Sequence, residues 1–230
     1  MFKVLKLKPI IIGVVFVLIS VFLGVGVVSV ANLEKQRIPK PIYTIVIDPG
    51  HGGRDGGSIG KNGSVEKELN LKYAKTLQKM LIKAGVNVIM TRTNDEGLYS
   101  EDESNKKLSD MRARRDIIRK AQPDLVVSVH MNSFPLPTCK GAKTFYQQGS
   151  EASINVAKCI QNSLNYYIDN ASNTVSAGDY YILNCTPYTS VLIECGFISN
   201  PSEEQLLNDN IYCEKLIYSV YCGIIMSLGI

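Results

Sequence analysis

Residues 43–53 read YTIVIDPGHGG. The run Thr44-Ile45-Val46-Ile47 is rich in β-branched residues and apolar at every other and every adjacent position, as in a strand covered on both faces. Asp48 ends it, and Pro49-Gly50 forces a tight turn. A buried strand that delivers a histidine, His51, into a glycine-rich loop is the seed from which the rest of the chain is read.

The same form recurs downstream. Val86–Thr91, Asp124–His130 (DLVVSVH) and Ser190–Cys195 (SVLIEC) are further buried strands, and Ala142–Gln147 and Tyr180–Leu183 are shorter candidates. Helical spacing lies between them. Ser64 is placed to cap a helix reaching about Ala84 and stopped by Gly85. Ser109–Gln122 forms a second helix ahead of Pro123, and a third covers about Ser150–Ile168. After Asn200-Pro201, Ser202 and Gln205 read as a capping box, and Ile211, Leu216, Val220 and Ile224 continue a C-terminal helix. Strands alternating with helices predict a single α/β domain over residues 43–230, with a largely parallel or mixed sheet.

Charge narrows the partners. Of the 25 basic residues, Lys3, Lys6 and Lys8 precede residue 31, leaving 22 basic against 21 acidic groups in the rest of the chain. That balance gives no electrostatic footprint for nucleic acid. The basic cluster Arg112, Arg114, Arg115, Arg119 and Lys120 alternates with Asp110 and Asp116 and reads as a solvated helix face.

Residues 9–30 are uncharged and almost wholly apolar. A helix over this stretch rises about 33 Å, matching a hydrocarbon core of about 30 Å. The three lysines before it make a cytoplasmic flank, so residues 1–30 are expected to anchor the domain outside the membrane. A cleaved signal peptide is the competing reading, because Ser29-Val30-Ala31 resembles a cleavage site; the protein would then be secreted. Residues 31–42, polar and with two prolines, form a linker. The six cysteines lack any C-x-x-C pair and fall in strand- and helix-like stretches, so they read as free, mostly buried thiols.

The chain has two histidines, His51 and His130, and both stand at strand C-termini. In open α/β sheets, sites form beyond the carboxyl ends of strands. Glu194 ends a third strand. Glu66 lies in the first turn of a helix whose apolar face runs through Leu69, Tyr73 and Leu77, so it points to the core side with them. Two imidazoles and a carboxylate suit a zinc ion that keeps a position open for water. Glu194 then remains as the group to move protons, and Asp48 is placed to orient His51 from behind. Taken alone, the residues leave a second reading open: strand-end histidines as satisfied polar groups, Glu66 as a helix-dipole partner and Glu194 as a buried ion-pair partner.

Four motifs together resemble the zinc-dependent N-acetylmuramoyl-L-alanine amidases of bacterial cell walls, the amidase-3 type. They are Ile47–Gly53 (IDPGHGG), Glu66-Lys67 opening a helix, Thr91-Arg92 with Ser128–Ser133 (SVHMNS), and Glu194–Pro201 (ECGFISNP). The resemblance covers about Ile45 to Asn208. It implies a six-stranded mixed sheet flanked by helices, one Zn2+ held by His51, Glu66 and His130, and Glu194 as the catalytic residue. Asn132 matches a position near the site, and Arg114 one with a structural role. The implied reaction cuts the amide between N-acetylmuramic acid and the L-alanine of the stem peptide in peptidoglycan. A short anchored catalytic domain further resembles the germination-specific subgroup, acting in the forespore or cortex space so that muramic δ-lactam can form, with an accessory activating protein as a candidate partner. The segment Ile168–Leu183 departs from the family in lacking any lysine or arginine. A zinc carboxypeptidase acting on peptidoglycan, or a non-catalytic wall-binding scaffold, are the competing functions.

Overall fold

The opening run forms strand β1, Thr44–Pro49, in the computed structural model, which describes residues 14–22, 43–100 and 102–230. The elements that follow are α1 (Glu66–Lys83), β2 (Asn87–Met90), α2 (Lys106–Ala121), β3 (Leu125–Asn132), β4 (Lys143–Gln147), α3 (Glu151–Tyr167), β5 (Ser176–Gly178), α4 (Tyr181–Asn184), β6 (Ser190–Phe197), α5 (Pro201–Asn208) and α6 (Asn210–Leu228). All belong to the unit Pro41–Ile230; the other unit is Met1–Lys40. The expected membrane span over 9–30 and linker over 31–42 lie outside the described residues, except for 14–22, which are helical with exposed side chains.

The strands make one six-stranded sheet in the order β2-β1-β3-β6-β4-β5. β2, β1, β3 and β6 run parallel, β4 is antiparallel to β6, and β5 is parallel to β4. The sheet is therefore mixed, and the carboxyl ends of β1, β3 and β6 lie side by side.

Side-chain alternation sorts the strands between two unequal layers. Ile45 and Ile47, Val127 and Val129, and Val191 and Ile193 point into the larger core, shared with Leu69, Tyr73 and Leu77 of α1, Ile160 of α3 and Leu216 and Val220 of α6. Val46, Val126 and Leu192 point to the other face, covered by Ile118 of α2 and Ile182 and Leu183 at α4, with Met111, Ala121, Tyr180 and Tyr188 packed partly buried around them. α6 is long and apolar enough to cross a membrane. Its fully buried Leu216, Ile217, Val220 and Ile224 instead make it a core helix.

Several boundaries differ from the sequence reading, each for a local reason. Val65, not Ser64, precedes α1, because Val65 is extended and bridges to Ile59. α2 begins at Lys106, capped by the Asn105 side chain. Tyr180–Leu183 is not a strand: Tyr180 precedes the helical turn α4, whose adjacent Ile182 and Leu183 are both buried, and the edge strand is Ser176–Gly178. At the C-terminus the capping box does not form. Asn200 caps α5 through the amides of Ser202 and Glu203, with Pro201 in the first turn. Asp209, in extended conformation, separates α5 from α6.

Candidate metal centre and active site

His51 leaves β1 with φ of 62°, a left-handed conformation uncommon outside glycine. Such strain persists where surrounding structure fixes it. Here Arg92 donates to the carbonyls of Pro49 (3.0 Å) and Gly50 (2.8 Å), and Arg114 donates to those of Pro49 and His51. Two buried arginines thus clamp the turn. Gly50 lies directly under the second histidine: a Cβ there would stand 2.1 Å from the His130 ring.

His130 lies on β3 in register with Glu194 on β6. By alternation both share a face with Val126 and Leu192, the thinly covered one. α1 brings Glu66 to the same place. Its Oε1 stands 3.1 Å from His51 Nε2 and 3.0 Å from His130 Nδ1. The ligand atoms of His51, Glu66 and His130 all lie within 4.8 Å of one another. The other oxygen, Oε2, accepts from the Ser58 amide at 2.8 Å, and Asn70 Nδ2 reaches Oε1 at 3.3 Å while also donating to the Gly50 carbonyl. Glu66 is thereby buried and held in one orientation.

Electrostatics follow this geometry. Burial alone would push the Glu66 carboxyl up, but the imidazoles of His130 and His51 outweigh it and hold the group well below the usual range. Burial works against a charged His51, and Glu66 and Asp55 overcome it, raising that imidazole. Glu194 is different. Burial dominates, with the Glu66 charge adding to it and His130 and His51 only partly opposing, so its carboxyl is pushed up to about 7. Its Oε2 is buried and has no partner among the described residues.

Behind His51 the carboxylate is Asp55, whose Oδ2 lies 2.9 Å from Nδ1. Asp55 also pairs with Lys107 and accepts from the Gly57 amide. Asp48 does not reach His51, contrary to the sequence reading. It is taken up by Arg114 (2.7 Å), the Thr91 hydroxyl (2.7 Å) and the Ser128 hydroxyl (2.8 Å). Arg114 in turn holds Asp110 at 2.6 Å. That arginine is 1% exposed, so it leaves the expected solvated face of α2 and joins β1 to α2 from inside. The structural role expected of it is the one it has.

His51, Glu66, His130, Glu194 and Asn132 all line one cavity of about 480 Å³, with Met111, Tyr180 and Ile182 among its apolar walls. The donor set fits a zinc ion: two imidazole nitrogens and one carboxylate oxygen converge, leaving room for a further ligand on the cavity side. Asp55, Asn70 and Arg92 were missed as site residues. Asn70 carried a signal, an amide on the buried stripe of α1. Asp55 carried none, because a loop has no periodicity to mark which side chain turns back.

A family model described as N-acetylmuramoyl-L-alanine amidase, of the amidase-3 type, matches residues 45–226. The germination-specific N-acetylmuramoyl-L-alanine amidase of Bacillus subtilis (strain 168) is 37% identical over 186 residues, 79% of this chain and 78% of that protein. The amidase LytC of the same organism is 32% identical over 199 residues, 85% of this chain but only 38% of LytC. Among solved structures, the CwlD amidase from Clostridioides difficile, determined in complex with the GerS lipoprotein, superposes with a TM-score of 0.78 at 36% identity, covering 81% of this chain and 98% of that one. The site geometry and these likenesses agree, and the chain belongs to the amidase-3 family of N-acetylmuramoyl-L-alanine amidases.

Proposed function

We propose that this protein hydrolyses the amide between the lactyl group of N-acetylmuramic acid and the first L-alanine of the stem peptide, using one zinc ion held by His51, Glu66 and His130. The observation behind this reading is the convergence of those three ligand atoms on a cavity that also holds the buried carboxyl of Glu194. When bound, zinc supplies Lewis acidity, lowering the pKa of water and polarising a carbonyl.

The chain's own residues do the rest. Glu194 takes a proton from the attacking water, whose oxygen bonds to the carbonyl carbon. It then gives that proton to the nitrogen as the C–N bond breaks, leaving a lactyl carboxylic acid and a free L-alanine amine, the acid's remaining proton passing to the amine. A carboxyl pushed up to about 7 is suited to both halves of that exchange. Asp55, beside Nδ1 of His51, holds the ring so that Nε2 is directed at Glu66 and the ligand cluster. Asn132, at the cavity wall, is a substrate-contact candidate.

The cellular setting is part of the same proposal. Likeness to a germination-specific amidase supports a role in the spore cortex, where loss of the stem peptide lets muramic δ-lactam form. Residues 1–30 would anchor the protein with its domain on the extracytoplasmic side. The GerS complex of the CwlD amidase supports looking for an accessory protein here as well. Purified protein with zinc should release stem peptides that begin with a free L-alanine from peptidoglycan, identified by mass spectrometry. Release of a terminal amino acid with the lactyl amide intact would replace the amidase reading with a carboxypeptidase.

A further inference from the structure

Acids in the first turn of a helix ordinarily face solvent and interact with the helix dipole. Glu203 and Glu204, in the first turn of α5, are 3% and 1% exposed. Each carboxylate is aimed at backbone amides of a different segment. Glu204 accepts from Asn62 N at 2.8 Å and from Ser64 N at 3.0 Å. Glu203 accepts from Phe197 N at 2.7 Å and, with both oxygens, from Gly141 N at 2.9 Å.

The segment that Glu204 holds ends at a metal ligand. Gly60 N bonds to Ser64 O at 2.8 Å and Gly63 N to Gly60 O at 3.1 Å, closing a tight loop. The bridge between Ile59 and Val65 completes it. One residue further on each side, Glu66 N bonds to Ser58 O at 3.0 Å, and Ser58 N bonds back to Glu66 Oε2 at 2.8 Å. Pinning Oε2 leaves Oε1 turned to the two histidines. The order of constraint therefore runs from Glu204 to the loop amides, to Ser58, and so to the orientation of the Glu66 carboxylate. A loop rich in glycine loses much backbone freedom when ordered. Charge-assisted hydrogen bonds from its amides to a buried carboxylate are among the stronger means of ordering it.

We propose that Glu204 is a positioning residue for the metal ligand Glu66, acting through the Gly60–Ser64 loop. The proposal rests on the zinc reading above. A merely structural role would make Glu204 a stabiliser of α5 packing, and Leu207→Ala supplies the comparison. Leu207 is buried on the same helix, and its side chain is not among the donors or acceptors that order the loop.

The test uses the full chain in detergent. Zinc affinity is measured by chelator competition, and hydrogen exchange at the Asn62 and Ser64 amides is followed in metal-free protein. Glu204→Gln should weaken zinc binding on the order of 10- to 100-fold, as removal of outer-shell partners does, and should speed exchange at both amides. Leu207→Ala should lower the melting temperature while leaving zinc affinity unchanged. Parental zinc affinity in Glu204→Gln, or an equal loss in Leu207→Ala, would overturn the proposal. A parent chain that binds no zinc would overturn the metal reading and this proposal with it. Should Glu204→Gln not fold, Gly60→Ala replaces it: its Cβ would stand 2.2 Å from Glu204 Oε1, displacing the carboxylate with the acid intact. The same fall in zinc affinity is expected, and its absence counts against the brace.

Discussion

Glu66 and Glu194 are two glutamates buried at one cavity whose surroundings drive them apart. Two imidazoles keep Glu66 ionised, whereas burial beside another acid lifts Glu194 to about 7. Opposed shifts in a shared site accord with the proposed division of labour between ligand and proton carrier. Glu194→Ala should therefore lower turnover by on the order of 10²- to 10⁴-fold while zinc stoichiometry, measured by metal analysis, stays at the parental level. Loss of metal in that variant would make Glu194 a ligand. Asp55→Asn should act in the opposite sense, weakening zinc affinity through His51 and lowering turnover only at limiting zinc, as a zinc titration of activity would show. These residues differed in how legible they were. His51 follows one strand and His130 and Glu194 lie toward the carboxyl ends of two others, all with plain β-branched runs, and Glu66 falls on a helix stripe. The partner of His51 was not legible, because Asp48 and Asp55 flank it at similar short distances in sequence. Only the fold shows that Arg114 has taken the first.

At the scale of elements, β1 and α2 are joined by the buried group Asp48, Arg114 and Asp110. Removing the Asp48 charge leaves the buried Arg114 with Asp110 as its one carboxylate and takes away the strongest acceptor between β1 and α2. Asp48→Asn should therefore destabilise the domain by about 1–3 kcal/mol, read from urea unfolding. A change within the error of that measurement would show that Thr91 and Ser128 suffice. α3 and α6 meet at Gly223, where a Cβ would stand 2.4 Å from Ile160 Cα. Gly223→Ala should separate the two helices and cost about 1–3 kcal/mol, with zinc affinity unaffected because neither helix bears a proposed ligand. The buried strands could be read from the sequence because an apolar run needs no partner to be recognised. Helix starts were harder. Ser64 and Ser202 look like caps, but the Ser64 hydroxyl accepts from Asn208, and Ser202 already lies within α5, which Asn200 caps. Tyr180–Leu183 misled for another reason: four residues are too few to distinguish a period of 2 from one of 3.6.

For the whole molecule, a mixed α/β sheet was legible from alternation, whereas the strand order was not. Nothing local tells β6 to lie beside β3, yet that pairing is what sets Glu194 opposite His130. The assembled site makes stability depend on pH in a way no single element would. In metal-free protein, Glu194 and His51 both have raised pKa values, so the folded state binds more protons than the unfolded one above their ordinary values of 4.5 and 6.5. Their contribution is present on the acid side and is lost as pH rises through about 7. Asp48 and Asp55 are depressed, Asp55 to about 2, so their contribution is full above 3.8 and is lost as pH falls below it. Metal-free protein should thus be most stable near pH 5 and lose stability toward both 8 and 2, measured as urea midpoints across that range. Glu194→Gln should flatten the upper arm and leave the lower one. Zinc should reverse the upper arm, because a metal binds the deprotonated ligands and stabilises only the folded state, by about 4 kcal/mol at a free concentration a thousandfold above Kd. A metal-free protein whose stability rises steadily from pH 5 to 8 would mean that burial does not raise the Glu194 carboxyl in the fold, and the match between its titration and the two proton transfers would be lost.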